Sequence, residues 1–210
     1  MLLDYDISYE KKDGYEEISI EDFSERENLS RKERYIINKT FAVNMHIMIS
    51  KQTLDSVYET FNDYLNGDER LKDLNAIVLL SLKKKGRGVG FDTLTKTEFK
   101  RLVDFAMDNN IPLGFDSCSQ PKFIESIKGR PDFKQLEILS EPCESSCFSA
   151  YINSKGVFFP CSFTENQGEW KEGLDVNEFD TFIDIWNHEK TIRFRNKLLL
   201  NNRNCPVFNI

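Results

Sequence analysis

Three apolar runs separated by helix-like stretches constrain the fold of this chain more than anything else in it. The first is Phe41-Ala42-Val43-Asn44-Met45-His46-Ile47-Met48-Ile49-Ser50. It is nearly continuous in apolar character, as a strand buried on both faces would be. Asn44, His46 and Met48 share one face of it, and Val43, Met45 and Ile47 the other. Ser50 or Thr53 can cap the helix that follows. Leu54, Val57, Tyr58, Phe61, Tyr64 and Leu65 then recur at helical spacing until Asn66-Gly67 stops them. Residues 76–82 form a second apolar strand. A second helix over 97–107 puts Phe99, Leu102, Val103 and Ala106 on one face. Residues 111–116 make the third strand, closed by Ser117-Cys118. Strands about 30 residues apart with helices between them predict an α/β fold built on a parallel sheet. Three such units cannot close an eight-stranded barrel, so they form part of an open sheet or a partial barrel. In either case the working edge lies at the carboxyl ends of the strands. Ser50, the Lys83-Lys84-Lys85-Gly86-Arg87-Gly88 loop and Cys118 all stand there.

After Cys118 the texture changes. Ser119-Gln120-Pro121 can start a short helix with Pro121 as its first residue, and Gly129-Arg130-Pro131 breaks it. The stretch from Cys143 to Cys161 then places three of the five cysteines around one hairpin. Residues 149–152 and 157–159 read as its strands, with Asn153-Ser154-Lys155-Gly156 as the turn and Gly156 at positive φ. Pro160 ends the second strand. Residues 164–173 read as a polar loop, and 179–200 as one or two helices carrying Phe182, Ile185, Trp186, Ile192, Phe194 and Leu198.

A hairpin this short is marginal alone, and thiols at both of its ends suggest that a metal holds them. Thiolates select zinc or iron–sulfur clusters. Cys143 and Cys147 have Cys-x3-Cys spacing, which is not the Cys-x2-Cys knuckle of zinc ribbons. Cys118, Cys143, Cys161 and Cys205 each sit at the edge of an element, next to a turn or a proline, and are the expected metal ligands. Cys147 is the spare, buried at the start of a strand. The competing reading is that all five are reduced core cysteines.

Other residues carry weaker signals. His46 and Asn44 on a strand face need polar partners, from neighbouring strands or a small polar ligand. The basic 83–88 loop can hold a carboxylate or phosphate, but no Ser/Thr and helix complete a Walker pattern, and a solvated loop is the plainer reading. His188 reads as a surface helix residue. No Ser/His/Asp or Cys/His arrangement and no carboxylate pair stands out. A net charge of −7 argues against a nucleic-acid partner. No apolar stretch approaches a membrane span, and the start lacks the pattern of a secretory signal. A cytoplasmic location is expected, where disulfides are rare. Residues 1–40 are poorly patterned, with a possible strand at 5–9 and a polar, charge-dense stretch over 10–33. The abrupt start suggests that something precedes it.

These motifs carry a resemblance. Gly156-Val157-Phe158-Phe159-Pro160-Cys161, then Ile185-Trp186-Asn187, Phe194-Arg195 and Cys205-Pro206 resemble the SPASM/twitch carboxy-terminal extension of radical SAM proteins. Phe115-Asp116-Ser117-Cys118 and Cys143-Glu144 match that family's extra cysteines. Val43-Asn44-Met45-His46-Ile47 and the strand ending in the basic loop are similar to later strands of the radical SAM barrel. The resemblance spans about Phe41 to Phe208. It implies a partial (half) TIM-like parallel β/α barrel over 41–117, then a small α+β cysteine-rich SPASM/twitch-like domain over 118–210. It also implies an auxiliary 4Fe-4S cluster on Cys118, Cys143, Cys161 and Cys205, for substrate binding or electron relay. The family's Cys-x3-Cys-x2-Cys loop is missing, since the only Cys-x3-Cys is Cys143/Cys147 and position 150 is Ala150. The resemblance therefore implies that S-adenosylmethionine cleavage needs another chain. With such a partner, Asn44 and His46 would face a shared barrel interior and Lys84 and Arg87 its mouth, as cofactor-binding residues. A peptide or small molecule would be the substrate. A half barrel also exposes an apolar strand edge, which implies a protein partner or self-association. The rival readings are a zinc-stapled structural or interaction module and a metal-free α/β domain.

Overall fold

A computed structural model of the protein describes residues 43–210. The expectations for 1–40, and residues Phe41 and Ala42, lie outside the described residues. Asn44–Ile210 form one compact unit of mixed α/β type, with a three-stranded parallel sheet and a three-stranded antiparallel sheet.

The first half alternates β1 (Asn44–Ile49), α1 (Leu54–Leu65), β2 (Ala76–Ser81), α2 (Lys96–Asp108), β3 (Leu113–Phe115) and α3 (Gln120–Ile127). The sheet order is β1-β2-β3, with Asn44 beside Ala76 and Ile77 beside Leu113. Period-two alternation turns Ile47, Ile49, Ile77, Leu79 and Leu113 into one core with Val57, Phe61, Phe99, Leu102, Phe123 and Ile127 from the helices. α2 starts on a capping box in which the Thr95 hydroxyl accepts from the Glu98 N–H and the Glu98 carboxylate accepts from the Thr95 N–H.

Two expectations are corrected here. β1 is not buried on both faces, because Asn44, His46 and Met48 are exposed and the helical core packs on the alternate residues. Thr53 stands at the N-cap of α1 without capping it. Its backbone is already helical, and its hydroxyl donates to the Met48 carbonyl at 2.9 Å and accepts from the Ser50 N–H at 2.9 Å.

The second half contains α4 (Phe133–Leu136), β4 (Tyr151–Ile152), β5 (Val157–Phe159), β6 (Leu174–Asp175), α5 (Phe182–Trp186) and α6 (Glu189–Leu200). The hairpin turn forms as expected, with Gly156 at φ 75°. Its first strand is shorter than expected, since Ser149 pairs only through an isolated bridge to Ser145. The 164–173 loop is not merely polar. It carries Trp170, which is 2% exposed and anchors a second core with Phe158, Phe159, Ile185, Phe194 and Leu198. A single anchor in a polar stretch has no periodicity to betray it. The 179–200 stretch breaks at His188, a half-buried N-cap whose Nδ1 accepts from the Lys190 N–H, rather than a surface helix residue. Phe182 and Ile192 on these helices are partly exposed, at 48% and 38%. No helix among the described residues is long and apolar enough to cross a membrane.

Gly173 fixes the approach of β6 to β5. It sits at φ 67°, and a Cβ there would lie 2.4 Å from Val157 Cγ1 and 2.8 Å from the Phe158 carbonyl oxygen. Left-handed backbone and overpacking together give Gly173→Ala a cost of about 3 kcal/mol. Thermal unfolding should show a melting temperature lower by roughly 10 °C. An unchanged value would contradict this packing.

Candidate metal centre

Four cysteines line one pocket near the carboxyl edge of the parallel sheet. Cys118 follows β3, Cys143 lies in the loop before the hairpin, Cys161 follows β5, and Cys205 follows α6. All four line one pocket, together with Lys83, Ser145, Phe163, Phe194 and Phe208. These are the four cysteines that element edges single out in the sequence. Cys147 is not in the pocket wall. It is half-buried in the turn after Cys143, and its Sγ accepts from Arg203 Nη1 at 3.1 Å. All five cysteines are free. Among the described residues no three or more His, Cys, Asp or Glu side chains form a group that could hold a metal ion. The four thiols thus surround the pocket without closing on one point.

Local contacts fix three of the four cysteines. Cys143 Sγ is 3.3 Å from the Ser145 hydroxyl, and the Phe208 N–H donates to Cys205 Sγ at 3.4 Å. Cys161 is fixed by buried Thr164, whose hydroxyl donates to the Cys161 carbonyl at 2.7 Å. The Cys143–Cys147 loop is pinned from α6 and the residues after it. Arg195 donates to the Ser146 carbonyl and to the Trp186 carbonyl, with its guanidinium 4.8 Å from the centre of the Trp186 ring. Arg203 donates to the Cys143 carbonyl at 2.8 Å. The Ile185-Trp186 and Phe194-Arg195 motifs therefore have a physical role: Ile185 and Phe194 fill the second core, and Arg195 clamps the cysteine loop.

The basic loop divides into two functions that the sequence did not separate. Lys83 and Lys85 turn toward the site. Lys83 Nζ pairs with Asp116 and lies 4.8 Å over the Phe163 ring, its side chain only 6% exposed. Asp116 also accepts from the Ser81 and Ser119 N–H groups. Lys85 Nζ donates to the carbonyls of Ser162, Phe163 and Glu165 at 3.1, 3.3 and 2.8 Å. A signal for Lys83 existed: it continues the inward phase of Ile77, Leu79 and Ser81. The two loop residues expected to bind, Lys84 and Arg87, are instead solvent-facing. Lys84 is exposed and paired with Asp92 at 3.0 Å, and Arg87 is exposed. Asn44 and His46 lie on the open face of β1, Asn44 Oδ1 accepting from Asn75 Nδ2 at 2.9 Å. None of these four lines the cysteine pocket.

Comparison with family models, curated proteins and solved structures finds no match to this chain.

Burial pushes the Cys118 thiol up to about 12. The Lys83 charge opposes this, while Asp116, Cys143 and Cys205 reinforce it. Burial also raises Cys205, against the donation from Phe208. The pocket wall therefore favours the protonated form of Cys118 and Cys205, and a metal bound there would have to displace those protons, so its uptake would strengthen as pH rises. In the metal-free chain, above the ordinary thiol value near 9 the unfolded state loses the Cys118 proton while the folded state keeps it. Stability then falls as pH rises from about 9 toward about 12, by up to ~1.4 kcal/mol per pH unit. Denaturant unfolding of the metal-free chain at a series of pH values should show this slope, flattened in Cys118→Ala. Identical slopes in the two chains would contradict it. A second expectation concerns Lys85: removing its three bonds in Lys85→Met should cost about 2 kcal/mol, read as a lower denaturation midpoint. A midpoint equal to that of the unaltered chain would show that the three bonds hold nothing.

Proposed function

We propose that this chain is an iron–sulfur protein in which Cys118, Cys143, Cys161 and Cys205 hold one auxiliary 4Fe-4S cluster. The observation that carries this reading is the convergence of these four thiols, from four separate segments, on one pocket that leaves out Cys147. A single zinc ion needs four sulfurs about 2.3 Å from one point. A four-iron cluster takes one thiolate on each iron and so spreads its ligands wider, which suits thiols arranged around a pocket. The chemistry of the set also fits: thiols only, an aromatic wall, the Ser145 hydroxyl beside Cys143 Sγ, and the Phe208 N–H donating to Cys205 Sγ. When bound, such a cluster supplies one-electron transfer or an anchoring site for substrate. The chain's own residues orient the thiols, exclude water through Phe163, Phe194 and Phe208, and tie the pocket to the sheet through Lys85.

The wider architecture of this proposal is a partial TIM-like barrel followed by a SPASM/twitch-like domain. The sequential order β1-β2-β3, the helices packed against one face, and the motif order from Gly156 to Cys205 support it. Cleavage of S-adenosylmethionine would require a Cys-x3-Cys-x2-Cys loop from a partner chain, because these 210 residues contain none. The open face bearing Asn44 and His46 would then meet that partner. A reducing, cytoplasmic setting suits five free thiols.

Anaerobic purification with iron, acid-labile sulfide and zinc counted per chain tests the reading. About four irons and four sulfides are expected in the unaltered chain and in Cys147→Ala, with loss of both in Cys161→Ala. Zinc without sulfide would instead assign the site to a structural staple. Equal loading of Cys161→Ala and the unaltered chain would rule out these four ligands.

A further inference from the structure

Among the described residues, Lys83 carries the only charged side chain in the wall of the cysteine pocket. Its ammonium is buried, and burying a cation is costly unless it is paired. Asp116 pairs it, yet a buried ion pair is seldom retained for stability, since apolar residues of similar size do as well. The orientation of the pair suggests another role. Lys83 borders the pocket and Asp116 does not. Asp116 is turned into the sheet edge, where the Ser81 and Ser119 N–H groups and the Ser119 hydroxyl spread its charge. The pair is therefore a fixed dipole whose positive end lies at the pocket wall. The nearby Arg195 and Arg203 are committed elsewhere, to carbonyls and to the Sγ of Cys147.

We infer that Lys83 is the charge partner of the four-thiolate site and sets the reduction potential of the cluster held there. The inference rests on the cluster reading above. A one-electron reduction makes the site one unit more negative, and a fixed cation in a low-dielectric wall favours that state. Lys83 raises the potential, and Asp116 moderates the effect from the far end of the dipole.

The test is a mediator-coupled titration of the reconstituted full chain with dithionite as reductant, followed by electron paramagnetic resonance. Lys83→Met should bind the same iron and sulfide as the unaltered chain. At a fixed potential its reduced-to-oxidised ratio should fall at least tenfold, about 59 mV for a one-electron couple. Lys83→Arg keeps the charge and should restore most of the ratio. Asp116→Asn should move the ratio the opposite way, and it keeps the test decisive if Lys83→Met does not fold. Loaded variants with unshifted ratios, or Lys83→Met and Asp116→Asn shifting in the same direction, would overturn the inference while leaving the cluster in place. An unaltered chain that takes up neither iron nor sulfide would overturn the cluster reading, and this inference with it.

Discussion

Two lysines just beyond β2 join the halves of this molecule. Lys83 turns inward to Asp116 at the end of β3 and to the ring of Phe163 in the turn after Cys161. Lys85 binds three carbonyls of that same turn. The three Lys85 bonds together are worth about 2 kcal/mol, and they act between segments nearly eighty residues apart in sequence. The helical core around Phe61 and Phe99 and the aromatic core around Trp170 and Phe158 form separate clusters. The lysines meet the second of these at the cysteine pocket, which is where the geometry of the thiols is decided.

The pocket shows how short loops can be held without long secondary structure. β4, β5 and β6 have only two, three and two residues, too few to stabilise themselves. Trp170 and Phe194 supply the apolar anchor, and Arg195 and Arg203 fix the loop carbonyls. Thr164 and Ser145 sit on the cysteines themselves. The result fixes the loops that carry the thiols, which would lower the ordering cost of binding a metal there. The raised Cys118 thiol is the other side of this arrangement, because a buried wall resists thiolate charge.

Much of the fold was legible because periodicity reports burial. The 3.6-residue pattern of α1 and α2 and the spacing of β1, β2 and β3 reflect one large core. That Cys118, Cys143, Cys161 and Cys205 share one pocket was legible from their places at element edges. What escaped had no periodic signal. Trp170 is a lone anchor in a polar loop, β6 is two residues long, and His188 breaks a helical pattern by capping rather than by any Gly or Pro. The open face of β1 misled for a physical reason: Met45, Ile47 and Met48 make the run look buried on both sides, while only one side meets helices. Lys83 hid inside a basic run that reads as solvated, although its phase along β2 pointed inward.

The central claim is that four thiolates hold one iron–sulfur cluster. Iron K-edge X-ray absorption on the anaerobically isolated chain tests it most directly, because the fine structure reports both the ligands of iron and its neighbouring irons. The account predicts sulfur as the only ligand shell together with an iron–iron scattering path, both lost in Cys161→Ala and kept in Cys147→Ala. A chain carrying only zinc with sulfur at about 2.3 Å, or one free of metal after anaerobic reconstitution, would contradict it.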